Sequence, residues 1–272
     1  MRGKIIDLTI PKVMGILNVT PDSFYDGGLY HRESDLLRQT EKMLLDGADF
    51  IDLGGYSSRP NAEDISVTEE WSRVKPAIQS IKKEFPSALL SIDTFRSQVA
   101  RPAIGEGCDM INDISAGQLD QEMFQTVADL HVPYVIMHMR GTPQTMTQLT
   151  QYDHLIKEVI DYFHQILHQL NQLGVNDVLV DPGFGFAKTI DQNFELLNGL
   201  EQFHILDKPM LIGLSRKSMI WKTLNTTPEF ALNGTTSLNT VALLKGAAIL
   251  RVHDVKEAKE TIQLLSKMKS SE

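Results

Sequence analysis

The sequence predicts one (β/α)8 barrel. Eight short apolar runs recur along its 272 residues. They are continuously apolar rather than alternating, as parallel strands buried on both faces require. Helical patterns separate them, and the length is near the roughly 250 residues typical of such barrels. No G-x-G-x-x-G follows the first run, which counts against a doubly wound dinucleotide-binding sheet. No low-complexity linker divides the chain, so residues 1–272 read as one domain.

The first run, V-M-G-I-L-N-V from Val13 to Val19, predicts the first strand. Leu36, Leu37, Met43 and Leu44 mark a helix before the second, F-I-D-L-G-G from Phe50. Val67, Trp71, Val74, Ile78 and Ile81 are spaced 4, 3, 4 and 3 apart, one face of a helix. Ser66 with Glu69 has the spacing of a capping box at its start. A-L-L-S-I-D from Ala88, M-I-N-D-I from Met110 and Y-V-I-M-H from Tyr134 supply the third to fifth strands. Gly141 to Thr150 is the most irregular polar stretch. Leu155, Val159, Tyr162, Ile166 and Leu170 then predict a longer helix before V-L-V-D at Val178. M-L-I-G-L from Met210 and A-I-L-R-V-H from Ala248 complete the eight. Asp254 with Glu257 predicts the capped start of a last helix carrying Ala258, Ile262 and Leu265.

With 26 basic and 35 acidic residues the net charge is −9. Such a chain is a poor general binder of nucleic acid or of anionic membrane, so an anionic ligand needs locally placed cations. The hydrophobic content of 42 % suits a soluble globule. The one cysteine, Cys108, allows no internal disulfide and suits a reducing compartment. Met1 to Pro11 does not read as a signal peptide, and no run of about 18 apolar residues predicts a membrane span. A cytoplasmic location is the resulting expectation. The sequence holds no H-E-x-x-H, G-x-S-x-G or P-loop pattern, and Cys108 has no second cysteine to join it in a zinc site.

Function is expected where the apolar runs end. Asn18, Asp93, Asn112 with Asp113, and Asp181 end four strands. Ser215, Arg216 and Lys217 follow the seventh, and Arg251 and His253 lie at the end of the eighth. A single Asp in such a place is ordinarily a turn or helix-cap residue. Six strand ends doing this together point instead to the barrel mouth, where active sites of this fold form. Asp93 and Asp181 suit adjacent N–H donors of a planar heterocycle, and Asn112 offers both donor and acceptor. The run Ser215 to Ser218, before a helix start, suits an anion. Arg251 and His253, two apart on an extended strand, share a side and suit a phosphate or pyrophosphate. His138, alone at the end of the fifth strand, reads as structural.

These motifs resemble the dihydropteroate synthase family. The resemblance runs from M-G-I-L-N-V-T-P-D-S-F at Met14 to R-V-H-D-V at Arg251. Between them lie I-D-L-G-G, S-S-R-P, S-I-D-T, I-N-D-I-S-A-G, M-H-M-R-G-T-P, D-P-G-F-G-F and S-R-K-S. It implies a (β/α)8 barrel, a homodimer and a transferase of folate biosynthesis. That reaction joins 6-hydroxymethyl-7,8-dihydropterin pyrophosphate to p-aminobenzoate with Mg2+ present, releasing pyrophosphate by an SN1-like route. Such chemistry needs charge stabilisation and positioning rather than a nucleophilic side chain.

By position, the resemblance implies pterin contacts from Asp93, Asn112, Asp181 and Lys217, with Met137 as a packing wall. It implies pyrophosphate contacts from Asn18, Arg251 and His253, with Asn18 also at the metal. On this reading Arg251→Ala weakens pyrophosphate binding and leaves the affinity for free pterin nearly unchanged. For p-aminobenzoate it implies Phe24, Ser58, Arg59, Pro60, Phe186 and Ser218. Lys217, Arg251 and Asp26 are the catalytic candidates, Asp26 from the loop Thr20 to Gly28, which is expected to order over the bound ligands. The family reads G-G-E-S-T-R-P-G where this chain has Tyr56, Ser58 and Asn61, and a Gly where it has Ala187. Ala disfavours positive φ, so a local difference in backbone is expected there. A methyltetrahydrofolate-type pterin methyltransferase and a non-catalytic pterin-binding paralogue are the competing readings.

Overall fold

The computed structural model describes residues 5–19, 29–58 and 63–269. Eight parallel strands pair in chain order and close into a barrel. They are β1 (Lys12–Asn18), β2 (Phe50–Gly54), β3 (Leu90–Asp93), β4 (Met110–Asp113), β5 (Tyr134–Met137), β6 (Val178–Asp181), β7 (Met210–Ile212) and β8 (Ala247–Val252). Each apolar run of the sequence forms a strand. Around them lie α1 (Leu29–Leu45), α2 (Val67–Glu84), α3 (Ser97–Glu106), α4 (Met123–Leu130), α5 (Leu155–Gln172) and α6 (Ile190–Asn198). Two helices, α7 (Ser218–Thr223) and α8 (Leu232–Leu244), separate β7 from β8. The last, α9 (Val255–Lys269), packs back on β1.

Side-chain alternation along the strands divides the core in two. Met14, Phe50, Met110, Val135, Leu179, Leu211 and Ile249 come from seven strands and cluster together, filling the barrel interior. Their neighbours, such as Ile51, Ile111, Tyr134, Val180, Ile212 and Leu250, join the larger cluster beneath the helices. Both faces are therefore apolar, which is why the runs do not alternate. Two residues beyond the interior layer, toward the C-terminal ends, the inward positions become Asp52, Asn112, Met137, Asp181, Gly213 and Arg251. The same parity gives Asn18 on β1 and Asp93 on β3.

That parity also removes two residues from the mouth. Asp113 faces outward and its carboxylate accepts from Tyr134 Oη at 2.6 Å, Ser115 N and Oγ, and Gly117 N. It ties β4 to β5 and the loop beyond. His138 is buried outside the barrel, edge-on to Tyr162 with ring centroids 4.9 Å apart. Burial and the nearby Lys188 cation hold its pKa well below the usual imidazole value.

The helix starts are partly as predicted. Ser66 Oγ caps α2 by accepting the Glu69 N–H at 3.1 Å, but the Glu69 carboxylate goes to Arg73, so half of the box is made. Val74, Ile78 and Ile81 are fully buried on α2, each contributing roughly 1.5–3 kcal/mol. Helix α2 lies so close to the loop after β2 that a Cβ on Gly55 would sit 2.8 Å from Val74 Cγ1. Asp254 precedes α9, yet both its carboxylate oxygens accept from Arg216. A complete capping box starts α6 instead, from Thr189 and Gln192.

Candidate active site

The floor of the mouth is a charged cluster assembled from four strands. Arg251 on β8 donates Nε to Asp52 Oδ2 and Nη2 to Asp93 Oδ2, each at 2.6 Å. Asn112 Nδ2 donates to the same Asp52 oxygen at 3.0 Å. Asp52 is wholly buried. Burial pushes the Asp93 carboxyl up to about 7, with the Arg251 cation opposing and Asp52, Glu70 and Asp113 adding to the rise. For Arg251, burial works against the charge, and the two carboxylates outweigh it and raise the pKa. Arg251, expected at the pyrophosphate and among the catalytic candidates, is held in this structure by Asp52 and Asp93.

Opposite lies a second group. Asp181 is buried and accepts the Gly183 N–H at 2.8 Å. Burial raises its pKa, opposed by the cation of Lys217. Lys217 donates Nζ to the Phe184 carbonyl and sits over the Phe186 ring at 4.6 Å. Burial lowers its pKa to about 8, with Asp181 opposing. Met137 joins a cluster with Ile114, Met139, Met146 and Ala187, against which Phe186 packs. An apolar wall thus stands beside the Asp181 and Lys217 charges.

The rim is more divided. Asn18 Oδ1 and Asp93 Oδ2 flank Gly54, each 3.6 Å from where a Cβ would stand there. His253 Nδ1 lies 3.0 Å from Ser215 Oγ, which also accepts the His253 N–H. The run Ser215 to Ser218 does not act as one basic patch. Arg216, at φ +56°, turns to Asp254, with Nη2 at 2.6 Å from Oδ1, leaving Lys217 at the mouth. Ser218 opens α7 and is half-buried, as is Ser58 after β2. Phe24, Asp26, Arg59, Pro60 and Asn61, with the loop from Thr20 to Gly28, lie outside the described residues.

Three supporting residues escape a reading of strand ends alone. Asp52 sits in mid-strand, and only its parity with Gly54 and with the inward polar residues of neighbouring strands marks it. Glu70, wholly buried on α2, accepts Thr94 Oγ1 at 2.6 Å and Arg96 Nη1 at 2.9 Å, and so holds the loop that follows Asp93. Lys188 is buried behind Asp181, donating to the carbonyls of Gly183 and Phe186 and meeting His138 Nδ1 at 3.0 Å. Burial lowers its pKa to about 7. A Lys in a loop carries no sequence signal of burial.

The model of the pterin binding enzyme family matches residues 14–253, a span holding every residue of this cluster. The chain belongs to that family, among the dihydropteroate synthases. It is 40 % identical to the dihydropteroate synthase of Escherichia coli (strain K12) over 266 residues, 97 % of this chain and 94 % of the relative. The Yersinia pestis dihydropteroate synthase, solved with a sulfonamide drug, superposes with a TM-score of 0.92 at 38 % identity, covering 99 % of this chain and 98 % of that one. The Xanthomonas albilineans enzyme in complex with 7,8-dihydropteroate gives 0.88 at 34 %, covering 98 % and 97 %.

Two departures from the family pattern have definite structural outcomes in this dihydropteroate synthase. Ala187 takes φ +48°, a left-handed conformation that ordinarily favours Gly. Burial among Met137, Met139 and Met146, and the Tyr152 Oη bond to the Ala187 carbonyl at 2.9 Å, hold the alanine there. Tyr56 is buried, edge-on to Phe95 at 5.1 Å and beneath Arg96, and its hydroxyl accepts from Gln144 Nε2 at 3.1 Å. It links the loop after β2 to the loop after β5. Among the described residues no helix is long and apolar enough to cross a membrane.

Proposed function

We infer that this chain condenses 6-hydroxymethyl-7,8-dihydropterin pyrophosphate with p-aminobenzoate to form 7,8-dihydropteroate and pyrophosphate. The observation that carries the reading is the inward polar layer at the mouth, where Asp52, Asp93, Asn112, Asp181 and Arg251 converge from different strands and Lys217 joins them from the loop after β7. Asp181 and Asp93 accept N–H groups of the pterin ring, Asn112 adds donor and acceptor, and Met137 packs on its face. Arg251, His253 and Asn18 hold the pyrophosphate. The C–O bond breaks with its electron pair leaving on the pyrophosphate oxygen. The ring delocalises the resulting cation, the arylamine nitrogen forms the new C–N bond, and that nitrogen then loses its proton. Preorganised charge and positioning do this work.

The p-aminobenzoate is placed between Phe186, Ser58 and Ser218, joined by Phe24, Arg59 and Pro60 from outside the described residues. The sulfonamide held by the Yersinia pestis relative supports the same site for such drugs here. Among the described residues no cluster of three acidic, His or Cys side chains could hold a metal by itself. The Asn18 amide oxygen nonetheless fits Mg2+, a hard ion that keeps several waters and takes oxygen ligands from phosphate. When bound, it would neutralise charge on the leaving pyrophosphate. A homodimer in the cytoplasm is part of the same reading; light scattering that finds a monomer would remove the dimer from it.

Release of pyrophosphate from the pterin substrate, assayed with and without p-aminobenzoate and Mg2+, is the test. Dihydropteroate is expected only with both substrates. Its absence under every condition sinks the proposal in favour of a non-catalytic pterin binder. Methyl transfer from a methylated tetrahydropterin would favour the methyltransferase reading.

A further inference from the structure

Asp52 is wholly buried in the middle of β2, and only half of its carboxylate is used. Oδ2 takes two donors, Arg251 Nε at 2.6 Å and Asn112 Nδ2 at 3.0 Å. Oδ1 is buried with no hydrogen-bond partner among the described residues. A buried, unpaired carboxylate oxygen is costly and calls for a reason. The second grip on Arg251 differs in kind. Asp93 accepts Nη2 at the end of β3, where its side chain is 16 % exposed and the Arg251 side chain 22 %, against none for Asp52. Arg251 therefore has one anchor sealed in the barrel and one open to the mouth.

We infer that Asp52 is a positioning residue, the pivot of Arg251. When the pterin ring takes Asp93, the Nη end of the guanidinium is released toward pyrophosphate while Nε stays on Asp52. The inference rests on the function proposed above. Its physical basis is competition. A carboxylate that accepts two adjacent N–H groups of a planar ring needs both oxygens, and Asp93 Oδ2 already accepts from Arg251 Nη2. Ring and guanidinium compete for that oxygen. The displaced Nη2 is left unpaired in a half-buried site, and an anion restores its bond. Pterin and pyrophosphate then bind with positive coupling, which is reciprocal by thermodynamic necessity. Asp52 sets the size of that coupling, because it keeps the freed guanidinium at the mouth.

Calorimetric titrations of 6-hydroxymethylpterin and of inorganic pyrophosphate, each alone and with the other present, all with Mg2+, read the coupling directly. In the unaltered chain each ligand is expected to tighten the other roughly tenfold. In Asp52→Asn that factor falls several-fold. The variant also loses a negative charge near the anion, so pyrophosphate alone binds more tightly to it. A merely structural role for Asp52 would weaken both ligands and leave the factor unchanged. Should Asp52→Asn fail to fold, Arg251→Lys replaces it with the same expectation, since an ammonium cannot span two carboxylates as a guanidinium does. An unaltered chain without coupling, or a variant with the full factor, overturns the inference and leaves the proposed function standing. Failure of the pterin to bind at all overturns both.

Discussion

Ala187 holds a left-handed backbone that costs an L-residue roughly 1–2 kcal/mol. Ala187→Gly is expected to raise stability by about 1 kcal/mol, less what glycine adds to unfolded-chain entropy. Urea unfolding at constant m checks it, and a lower midpoint would show that the methyl packing on Met137 and Met146 matters more than the torsion. Asp93 makes a different residue-scale prediction. Its carboxyl is raised by burial to about 7, so the folded chain retains a proton that the unfolded chain releases. This group's contribution to stability therefore declines as pH rises from 3.8 toward 7. On the proposed function pterin binding runs the other way, since there the ionised carboxylate is the acceptor of the ring N–H groups. Affinity for 6-hydroxymethylpterin should rise through a midpoint near 7, and Asp93→Asn should remove that limb. A flat affinity from about pH 5 to about pH 9 would exclude Asp93 as the acceptor.

Between elements, the supports of the mouth are polar ties rather than apolar packing. Glu70 on α2 fixes Thr94 and Arg96 in the loop after β3. Its pKa is raised by burial, with Thr94 and Arg96 opposing. Glu70→Ala strands a mostly buried Arg96 and is expected to cost about 3 kcal/mol by denaturant titration. A loss under about 1 kcal/mol would mean that Asp64, the other partner of Arg96, is sufficient. The loop after β6 is tightest at Gly183. Gly183 has φ +75°, and a Cβ there would collide with the His138 carbonyl. Gly183→Ala should displace Asp181 and Lys188 together, which selective loss of pterin affinity in a still-folded variant would reveal.

Across the whole molecule, Arg251 ties β8 to β2 and β3 through the barrel interior. Arg251→Met leaves two buried carboxylates without their cation and should destabilise the fold by about 3 kcal/mol at neutral pH. The deficit should grow as pH rises from about 6 to about 9, because the Asp93 carboxyl, raised to about 7 beside the guanidinium, is raised further without it and ionises in the variant only at greater cost. Thermal unfolding of both proteins across that range measures it. A deficit independent of pH would mean that lost packing, not charge, is the cause. The same tie joins the floor of the mouth: Asp52, Asp93, Asn112 and Arg251 are linked by hydrogen bonds.

The sequence by itself determined the barrel, because eight doubly buried strands must be continuously apolar and must be spaced by helices. It also marked Asn18, Asp93, Asn112, Asp181, Lys217 and Arg251, since polar residues ending apolar runs are conspicuous. Only the tertiary structure separated Asn112 from Asp113, which are adjacent in sequence but point to opposite sides of the barrel wall. Only the structure revealed Asp52 and Glu70, whose partners lie 24 or more residues away, and Lys188, which meets His138 50 residues away. It also gave Arg216 to Asp254 and left Lys217 to the site. A strand's pattern encodes which face is buried, whereas the pairing of one buried charge with another is decided when the barrel closes and brings distant strands within hydrogen-bond reach.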